Sequence, residues 1–298
     1  MYKLTISGKI TNCVIYFALT LLGFITLYPF IYVLALSFNN GIDAMKGGIY
    51  FVPRVFTLEN YAMAFKNKYI VNSYMITLFR TSTGTLLSLL LTSMAAYGLT
   101  RKEMPFRSAI IFFCFFTTLF SGGFIPYYLL LKSLGLLNNI WIYVLPSLFS
   151  FYYIIIVRTY FQTIPNALRE SAQIDGLNDI KIFFKIYVPL SAPMLATIAL
   201  FIGVGHWNDW AMGTFFVTKR ELQPTATLLQ FLLTEINFET AFMGGNVNTA
   251  LMETKIKSTT PESLRMAFLV ISTVPILMLY PFLQKFFVHG VMIGSIKE

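Results

Sequence analysis

The chain has 298 residues, of which 56% are hydrophobic and 12% are charged, and its formal net charge is +9. Soluble chains carry about 25% charged residues, so this composition excludes an ordinary soluble domain. The positive charge does not require a nucleic-acid partner, because basic loops at the cytoplasmic surface of a membrane protein account for it.

Six long apolar segments follow one another along the chain. A helix needs about 20 such residues to cross a hydrocarbon core of about 30 Å. Only the second segment contains an internal charge, Arg80. We therefore predict an all-α integral membrane protein with six transmembrane helices. The segments are 13–36, 69–99, 108–131, 133–157, 190–208 and 266–284.

The first segment has two interpretations, because Lys3 and Lys9 precede it as they would in a secretory signal peptide. Its apolar run is longer than the 7–15 residues typical of a signal peptide, and no A-x-A-like cleavage site follows. We interpret it as a retained transmembrane helix.

The short loops predict the orientation. Loop 100–107 carries Arg101, Lys102 and Arg107, whereas the short connection near Lys132 holds one basic residue. Basic residues in short loops favour the cytoplasmic side. We therefore expect both termini in the cytoplasm.

This topology divides the chain into three parts. Residues 1–68 form the N-terminal tail, the first helix and an external loop. Residues 69–285 form a five-helix permease core, which includes an internal loop at 158–189 and an external loop at 218–262. Residues 286–298 form a cytoplasmic tail.

The second segment repeats small residues every fourth position at Gly84, Ser88, Thr92 and Ala96. Such a stripe lets the backbones of membrane helices approach closely. We expect it to face another helix.

The third segment is interrupted by Gly122, Gly123 and Pro126. Breaks in membrane helices are tolerated where the backbone is buried in protein or lines a cavity. We expect this break to lie near a pathway.

The internal loop predicts two short helices joined by a turn. Residues 167–174 and 179–187 have helical patterns, and Gly176 between them permits a sharp turn. Pro189 ends the second helix just before the fifth segment. We therefore predict a helix-turn-helix at the cytoplasmic surface.

The loop also carries a specific motif. Glu170-Ser171-Ala172 is followed by Gly176 and then by Ile186-Tyr187-Val188-Pro189. This resembles the coupling loop of ABC importer permeases, in which E-A-A precedes a Gly and then I-x-L-P. Ser and Val replace Ala and Leu here, and both substitutions keep the size of the side chain.

The resemblance extends over nearly the whole chain, through SGGFIPYYLLLKSLGLLNN, GHWNDW and the C-terminal stretch from SLRMAF onward. It points to the maltose-transporter-like carbohydrate branch, and within it to permeases for complex polysaccharides and oligosaccharides. It implies a bacterial cytoplasmic membrane, a second related permease, two ATPase subunits, an external sugar-binding protein and a C-terminal tail that reaches the ATPases. The residues implied in ATPase coupling are Glu170, Ser171, Ala172, Asp175, Gly176, Ile186 and Pro189.

The function predicted from the sequence is import of oligosaccharides, including acidic ones, without catalysis by this chain. No G-x-x-x-x-G-K-[ST] loop is present, so ATP and Mg are expected on the partner ATPases. An alternative is that the same kind of importer carries a solute other than a sugar. A second alternative, an ion-coupled secondary transporter, would need relays of acidic residues within the membrane. A third, an enzyme that uses His206 and Asp209 as an acid-base pair, is not supported by any spacing typical of a nucleophile or a metal site.

The sugar path is predicted on the fifth helix, where His206, Asp209, Trp210 and Gly213 would share one face. Aromatic rings beside hydrogen-bonding groups suit sugars, although tryptophans also gather at membrane interfaces. Arg80 is a candidate partner for Asp209. The candidate path residues are Arg80, His206, Trp207, Asn208, Asp209 and Trp210.

The long external loop 218–262 is predicted to contact the binding protein. Gly244 and Gly245 would form a slender tip, with Met243 and Asn246 beside them. Loops this long between two helices are uncommon and are usually functional or disordered.

Overall fold

The computed structural model describes residues 6–234 and 259–295, and this part of the chain is built from helices. The predicted all-α fold class is confirmed. The helices are α1 (Ile6–Ser37), α2 (Gly41–Met45), α3 (Glu59–Lys66), α4 (Lys68–Thr100), α5 (Arg107–Leu119), α6 (Phe124–Ser133), α7 (Phe151–Phe161), α8 (Asn166–Ile174), α9 (Asp179–Leu190), α10 (Ala192–Asn208), α11 (Ala211–Phe216), α12 (Thr225–Thr234) and α13 (Pro261–Ser295). Short 3-10 turns cover Ile140–Tyr143, Leu145–Ser147 and Arg220–Leu222.

Three of these helices, α1, α4 and α13, contain unbroken stretches long and apolar enough to cross a membrane. Three bent pairs pass the same test of length and composition when the two members are taken together: α5 with α6 at 117°, the turns of Ile140–Ser147 with α7 at 48°, and α9 with α10 at 85°. Counting each bent pair as one span gives six crossings in the described residues, which agrees with the six predicted segments.

The chain divides into two compact units. The first contains residues 1–68 and 231–274, and the second contains residues 69–230 and 275–298.

Within the first unit, Asn60 is fully buried and joins three stretches of chain. Its amide nitrogen donates to the carbonyls of Ser37 at 2.8 Å and Asn39 at 2.9 Å, and its amide oxygen accepts from the Ser263 hydroxyl at 2.9 Å. A buried amide needs such partners, because an unsatisfied polar group is costly in the interior. Asn60 therefore fixes α3 between the end of α1 and the start of α13.

The core of the second unit lies where α4, α7, α9 and α10 meet. The ring of Tyr187 is central to it, since it packs edge-on against Tyr97 at 4.8 Å and against Phe161 at 5.4 Å. Aromatic pairs in this geometry stabilise by about 0.5–1.5 kcal/mol beyond their buried area. The core therefore ties the short helix α9 to two membrane helices.

The small-residue stripe of α4 faces this interior. Gly84, Ser88, Thr92 and Ala96 are all buried, as expected for a close-packing face. Lipid tails are as apolar as most side chains, so close backbone approach is a main source of helix association.

The third apolar segment is broken at the position that Gly122 and Gly123 predicted. Helix α5 ends at Leu119 and α6 begins at Phe124, after Gly123 adopts a φ of 84°. Positive φ is accessible to glycine because it has no Cβ. Pro126 lies within the first turn of α6, where its missing N–H costs nothing.

The fourth apolar segment differs from the prediction, because residues 134–139 are not helical. Asn138 has a φ of 55°, and its side-chain oxygen accepts from the N–H groups of Thr218 at 2.7 Å and Lys219 at 3.1 Å. Only 3-10 turns follow, with Pro146 at the start of the second. The long-range hydrogen bonds of Asn138 and the proline thus displace the helix to Phe151–Phe161.

The last helix is longer than predicted at both ends. It runs from Pro261 to Ser295, so it includes most of the segment expected to form the tail at 286–298. Residues 296–298 lie outside the described part of the chain.

Candidate functional site

The second unit contains a cavity of about 220 Å³ beside α4 and α10. Its lining combines hydroxyl groups, aromatic rings and an ion pair within otherwise apolar helices. Such a mixture provides both stacking faces and hydrogen-bond partners. The lining residues are Arg80, Ser88, Tyr143, Ser147, Tyr153, Phe201, Ile202, Gly205, His206, Asp209 and Met212.

Arg80 and Asp209 are paired, as the sequence suggested. The Arg80 side chain is 1% exposed, and its Nη2 lies 2.5 Å from Oδ2 of Asp209. Its Nη1 donates to the backbone carbonyl of the same residue at 2.8 Å, and the guanidinium lies 4.8 Å from the ring centre of Tyr143. Both terminal nitrogens of the buried cation are therefore occupied within the protein.

Asp209 does not lie within a helix, so the predicted helical face through His206, Asp209, Trp210 and Gly213 is wrong. Helix α10 ends at Asn208, and Asp209 follows with φ −71° and ψ 107°. Its Oδ1 accepts from the N–H groups of Ala211 at 3.0 Å and Met212 at 3.2 Å. Asp side chains cap helix starts in this way, and this capping starts a new helix, α11.

His206 is 6% exposed and packs directly against Gly84 of α4. A Cβ atom at Gly84 would lie 2.5 Å from Nε2 of the imidazole, closer than real contacts allow. The glycine in the small-residue stripe thus makes room for the histidine, which the sequence pattern alone did not reveal.

The other candidate path residues lie outside the cavity lining. Trp207 is buried, and its ring meets Tyr74 edge-on at 5.9 Å. Trp210 is 41% exposed and lies 6.1 Å from the ring of Phe215, while Asn208 is exposed. These three side chains therefore do not belong to the polar cluster around Arg80.

The predicted helix-turn-helix is present as α8 and α9. Ala172 is the buried residue of α8, whereas Glu170, Ser171 and Asp175 are exposed. Gly176 follows with a φ of 80°, the left-handed conformation that favours glycine.

The second half of the motif lies in α9. Ile186 is partly buried in a π-helical turn at Phe183–Tyr187, and Pro189 is exposed. The motif residues thus form one short hairpin of helices with a largely exposed outer face.

Sequence reasoning missed Asp179, which connects this hairpin to α4. Its Oδ1 accepts from the Tyr97 hydroxyl at 3.0 Å and lies 3.5 Å from Nη2 of Arg101 and 3.7 Å from Nε of Arg169. The Arg101 guanidinium also lies 4.0 Å from the ring centre of Tyr97. One carboxylate therefore joins the start of α9, the middle of α8 and the end of α4.

The loop after α4 joins the same cluster through Glu103, whose Oε1 lies 3.7 Å from Nη1 of Arg169. The pKa of Glu103 is lowered, first by a hydrogen bond from its own backbone N–H and then by the charges of Arg169 and Arg101. The carboxylate form is favoured beside these two arginines.

The candidate contacts to a binding protein, Met243, Gly244, Gly245 and Asn246, lie outside the described residues.

Broken apolar spans, a polar cavity and an exposed hairpin that carries the motif are the features expected of a membrane subunit of a transport system. The chain belongs to the family of binding-protein-dependent transport system inner membrane components, which it matches over residues 84–293. It is thus an ABC transporter permease of the inner membrane. ATP hydrolysis in such systems belongs to separate chains.

Several known proteins are similar to the chain. It is 38% identical to the polygalacturonan/rhamnogalacturonan transport system permease protein YtcP of Bacillus subtilis (strain 168), over 97% of this chain and 99% of that protein. It is 36% identical to protein LplC of the same organism, over 92% and 90% of the two chains. A chain in the crystal structure of a bacterial ABC transporter involved in the import of the acidic polysaccharide alginate superposes with a TM-score of 0.86 at 28% identity, over 96% and 100% of the chains.

Proposed function

We propose that this permease imports oligosaccharides, including acidic ones, with energy from ATP bound with Mg on partner subunits. The observation that carries the proposal is the cavity, whose lining combines the rings of Tyr153, Phe201 and His206 with polar side chains. Sugars need both, because their CH faces stack on rings and their hydroxyls need polar partners. The substrates named for the similar permease and importer support the same class of cargo.

The ion pair restricts how an acidic sugar would be recognised. Arg80 is already neutralised by Asp209, so a sugar carboxylate would reach the guanidinium only by displacing that partner. The hydroxyl groups of a sugar could bind in the cavity without displacing Asp209 from Arg80. We therefore propose that the cavity binds mainly the hydroxyl groups of a sugar. Trp207, Asn208 and Trp210 lie outside the cavity lining, and their contact with the sugar stays a prediction.

The assembly expected around the chain has a second, related permease, two ATPase subunits and an external or periplasmic sugar-binding protein. The external loop 218–262 would contact the binding protein. Both termini would lie in the cytoplasm, because the short loop 100–107 is basic.

Coupling would use the hairpin of α8 and α9. The exposed side chains of Glu170, Ser171 and Asp175 would face a groove of the ATPase, and Ala172, Gly176, Ile186 and Pro189 would keep the hairpin in shape. The Asp179 cluster supports this role, because it ties both short helices to the end of α4, the helix that also carries Arg80. Movement of a packed helix as a rigid element would then change access to the cavity.

The test is uptake by the complete transporter reconstituted in vesicles with its binding protein. Labelled oligogalacturonides, neutral oligosaccharides and amino acids would be compared. Tyr153→Phe removes a hydroxyl from the cavity lining, and Tyr152→Phe is the matched control because Tyr152 lies outside it and is 68% exposed. A lost hydrogen bond of about 1 kcal/mol predicts uptake roughly fivefold slower in the first variant and unchanged in the second.

Uptake of an amino acid in preference to every oligosaccharide would refute the proposed cargo. Equal sugar uptake by the two tyrosine variants would refute the assignment of the cavity.

A further inference from the structure

Two arginines converge on one backbone oxygen at the end of α4. The Nε atoms of Arg107 and Arg158 donate to the carbonyl of Leu99 at 2.8 Å and 3.0 Å. Arg107 begins α5 and Arg158 lies in the last turn of α7. The ends of three helices thus meet at a single acceptor.

Part of this arrangement is helix capping. The last carbonyls of a helix lack partners within it, and basic side chains near that end are favourable. One arginine would satisfy this need. The second places two positive charges side by side, since both nitrogens lie within 3.0 Å of the same oxygen.

No carboxylate in the described part of the chain lies within ion-pair distance of either arginine. This distinguishes them from Arg54, Arg80, Arg101 and Arg169, which each have an acidic partner. Both arginines are partly exposed, and their hydrogen bonds to Leu99 use only the Nε atom of each guanidinium group. Two adjacent cations at the edge of the hydrocarbon region favour an external anion.

The position of the pair indicates which anion. Lipid phosphates lie at the level where membrane helices end, and guanidinium groups bind phosphate through two parallel hydrogen bonds. Beside the pair, α5 has no buried residue, and Phe112 and Phe113 on it are 69% and 67% exposed. This apolar face suits acyl chains attached to the same phosphate.

We propose that Arg107 and Arg158 together bind the phosphate of an anionic phospholipid. The inference goes beyond the proposed function, since it concerns the membrane and not the cargo. Leu99 lies two residues before Arg101, which pairs with Asp179. The bound lipid would therefore hold the end of α4 at the point where the coupling hairpin is attached.

The test is lipid retention by the purified, assembled transporter, measured by native mass spectrometry. Phosphatidylglycerol and phosphatidylcholine would be titrated in parallel, with inorganic phosphate as a competitor. R107Q/R158Q removes both candidate ligands. K102Q/K185Q removes the same charge from two exposed lysines and is the matched control.

Wild type and K102Q/K185Q should retain phosphatidylglycerol equally, and R107Q/R158Q should bind it roughly tenfold more weakly. Equal retention by both double variants would overturn the proposal, and so would a carboxylate of the partner permease found at this position. Competition by inorganic phosphate at lipid concentrations would show that a free anion is the ligand and would also overturn it.

If the R107Q/R158Q variant does not assemble, lipid retention by the wild-type transporter tests the proposal by itself. Phosphatidylglycerol should then be preferred over phosphatidylcholine by roughly tenfold, with a preference that falls as salt is added. Equal retention of the two lipids would overturn the proposal.

Discussion

At the scale of single residues, Asp209 connects Arg80 of α4 to the start of α11 through its carboxylate and its backbone carbonyl. Its Oδ2 neutralises Arg80, its Oδ1 caps the start of α11, and its backbone carbonyl receives the second guanidinium nitrogen. A buried cation is tolerated only when it is paired and hydrogen-bonded. The pair therefore holds α4 against the break between α10 and α11.

Replacement of Asp209 by Asn tests the charge without removing the cap, because Asn also caps helices. The variant leaves the cation of Arg80 buried without a counter-charge. We expect a loss of about 2–3 kcal/mol in stability, below the full value for a buried pair because Asp209 is 30% exposed. The measurement is the midpoint of thermal unfolding of the assembled transporter.

Arg80→Gln/Asp209→Asn should recover part of this loss, since no uncompensated charge remains. The matched control is Lys46→Gln, which breaks an ion pair of 3.9 Å whose lysine is 69% exposed and should cost little. An Asp209→Asn variant as stable as Lys46→Gln would contradict the role assigned to the pair.

At the scale of elements, the coupling hairpin depends on the conformation of one turn. Gly176 has a φ of 80°, and a Cβ there would meet nothing within 4 Å. A substitution is therefore resisted by backbone strain and not by lack of space. The strain is about 1–2 kcal/mol for most residues and smaller for Asn.

We expect Gly176→Val to distort the hairpin and Gly176→Asn to preserve it, although both add a side chain. The valine variant should insert into the membrane and assemble, but it should import sugar severalfold more slowly per ATP hydrolysed. Uptake and ATP hydrolysis measured together in vesicles would report this ratio. Normal uptake by Gly176→Val would mean that the turn has no part in coupling.

At the scale of the whole molecule, the positions of the basic residues predict the orientation of the chain in the membrane. Lys132 should be external, and Lys181 in α9 should be cytoplasmic. Cysteines placed at these two positions, with Cys13 and Cys114 replaced by Ser, should react differently with an impermeant thiol reagent. In intact cells only position 132 should be labelled, and labelling at 181 would reverse the topology.

Much of the fold was predictable because its signals are local. Apolar runs predicted the positions of the six candidate spans. The glycines at 122 and 123 predicted the break before α6, and the motif around Gly176 predicted the hairpin of α8 and α9. The helix expected over 133–157 was wrong in its first part, because Asn138 binds the chain at 218–219 and only the folded protein brings these stretches together.

The candidate site depended on contacts between residues far apart in the chain. Arg80 and Asp209 are separated by 129 positions, so the sequence suggested the pair but not the end of α10 that it stabilises. The roles of Asp179 and of the Leu99 carbonyl gave no sequence signal at all. Hydrophobic length and local motifs determine which segments form helices. Only tertiary packing decides which polar groups meet, because each buried charge must find its partner in three dimensions.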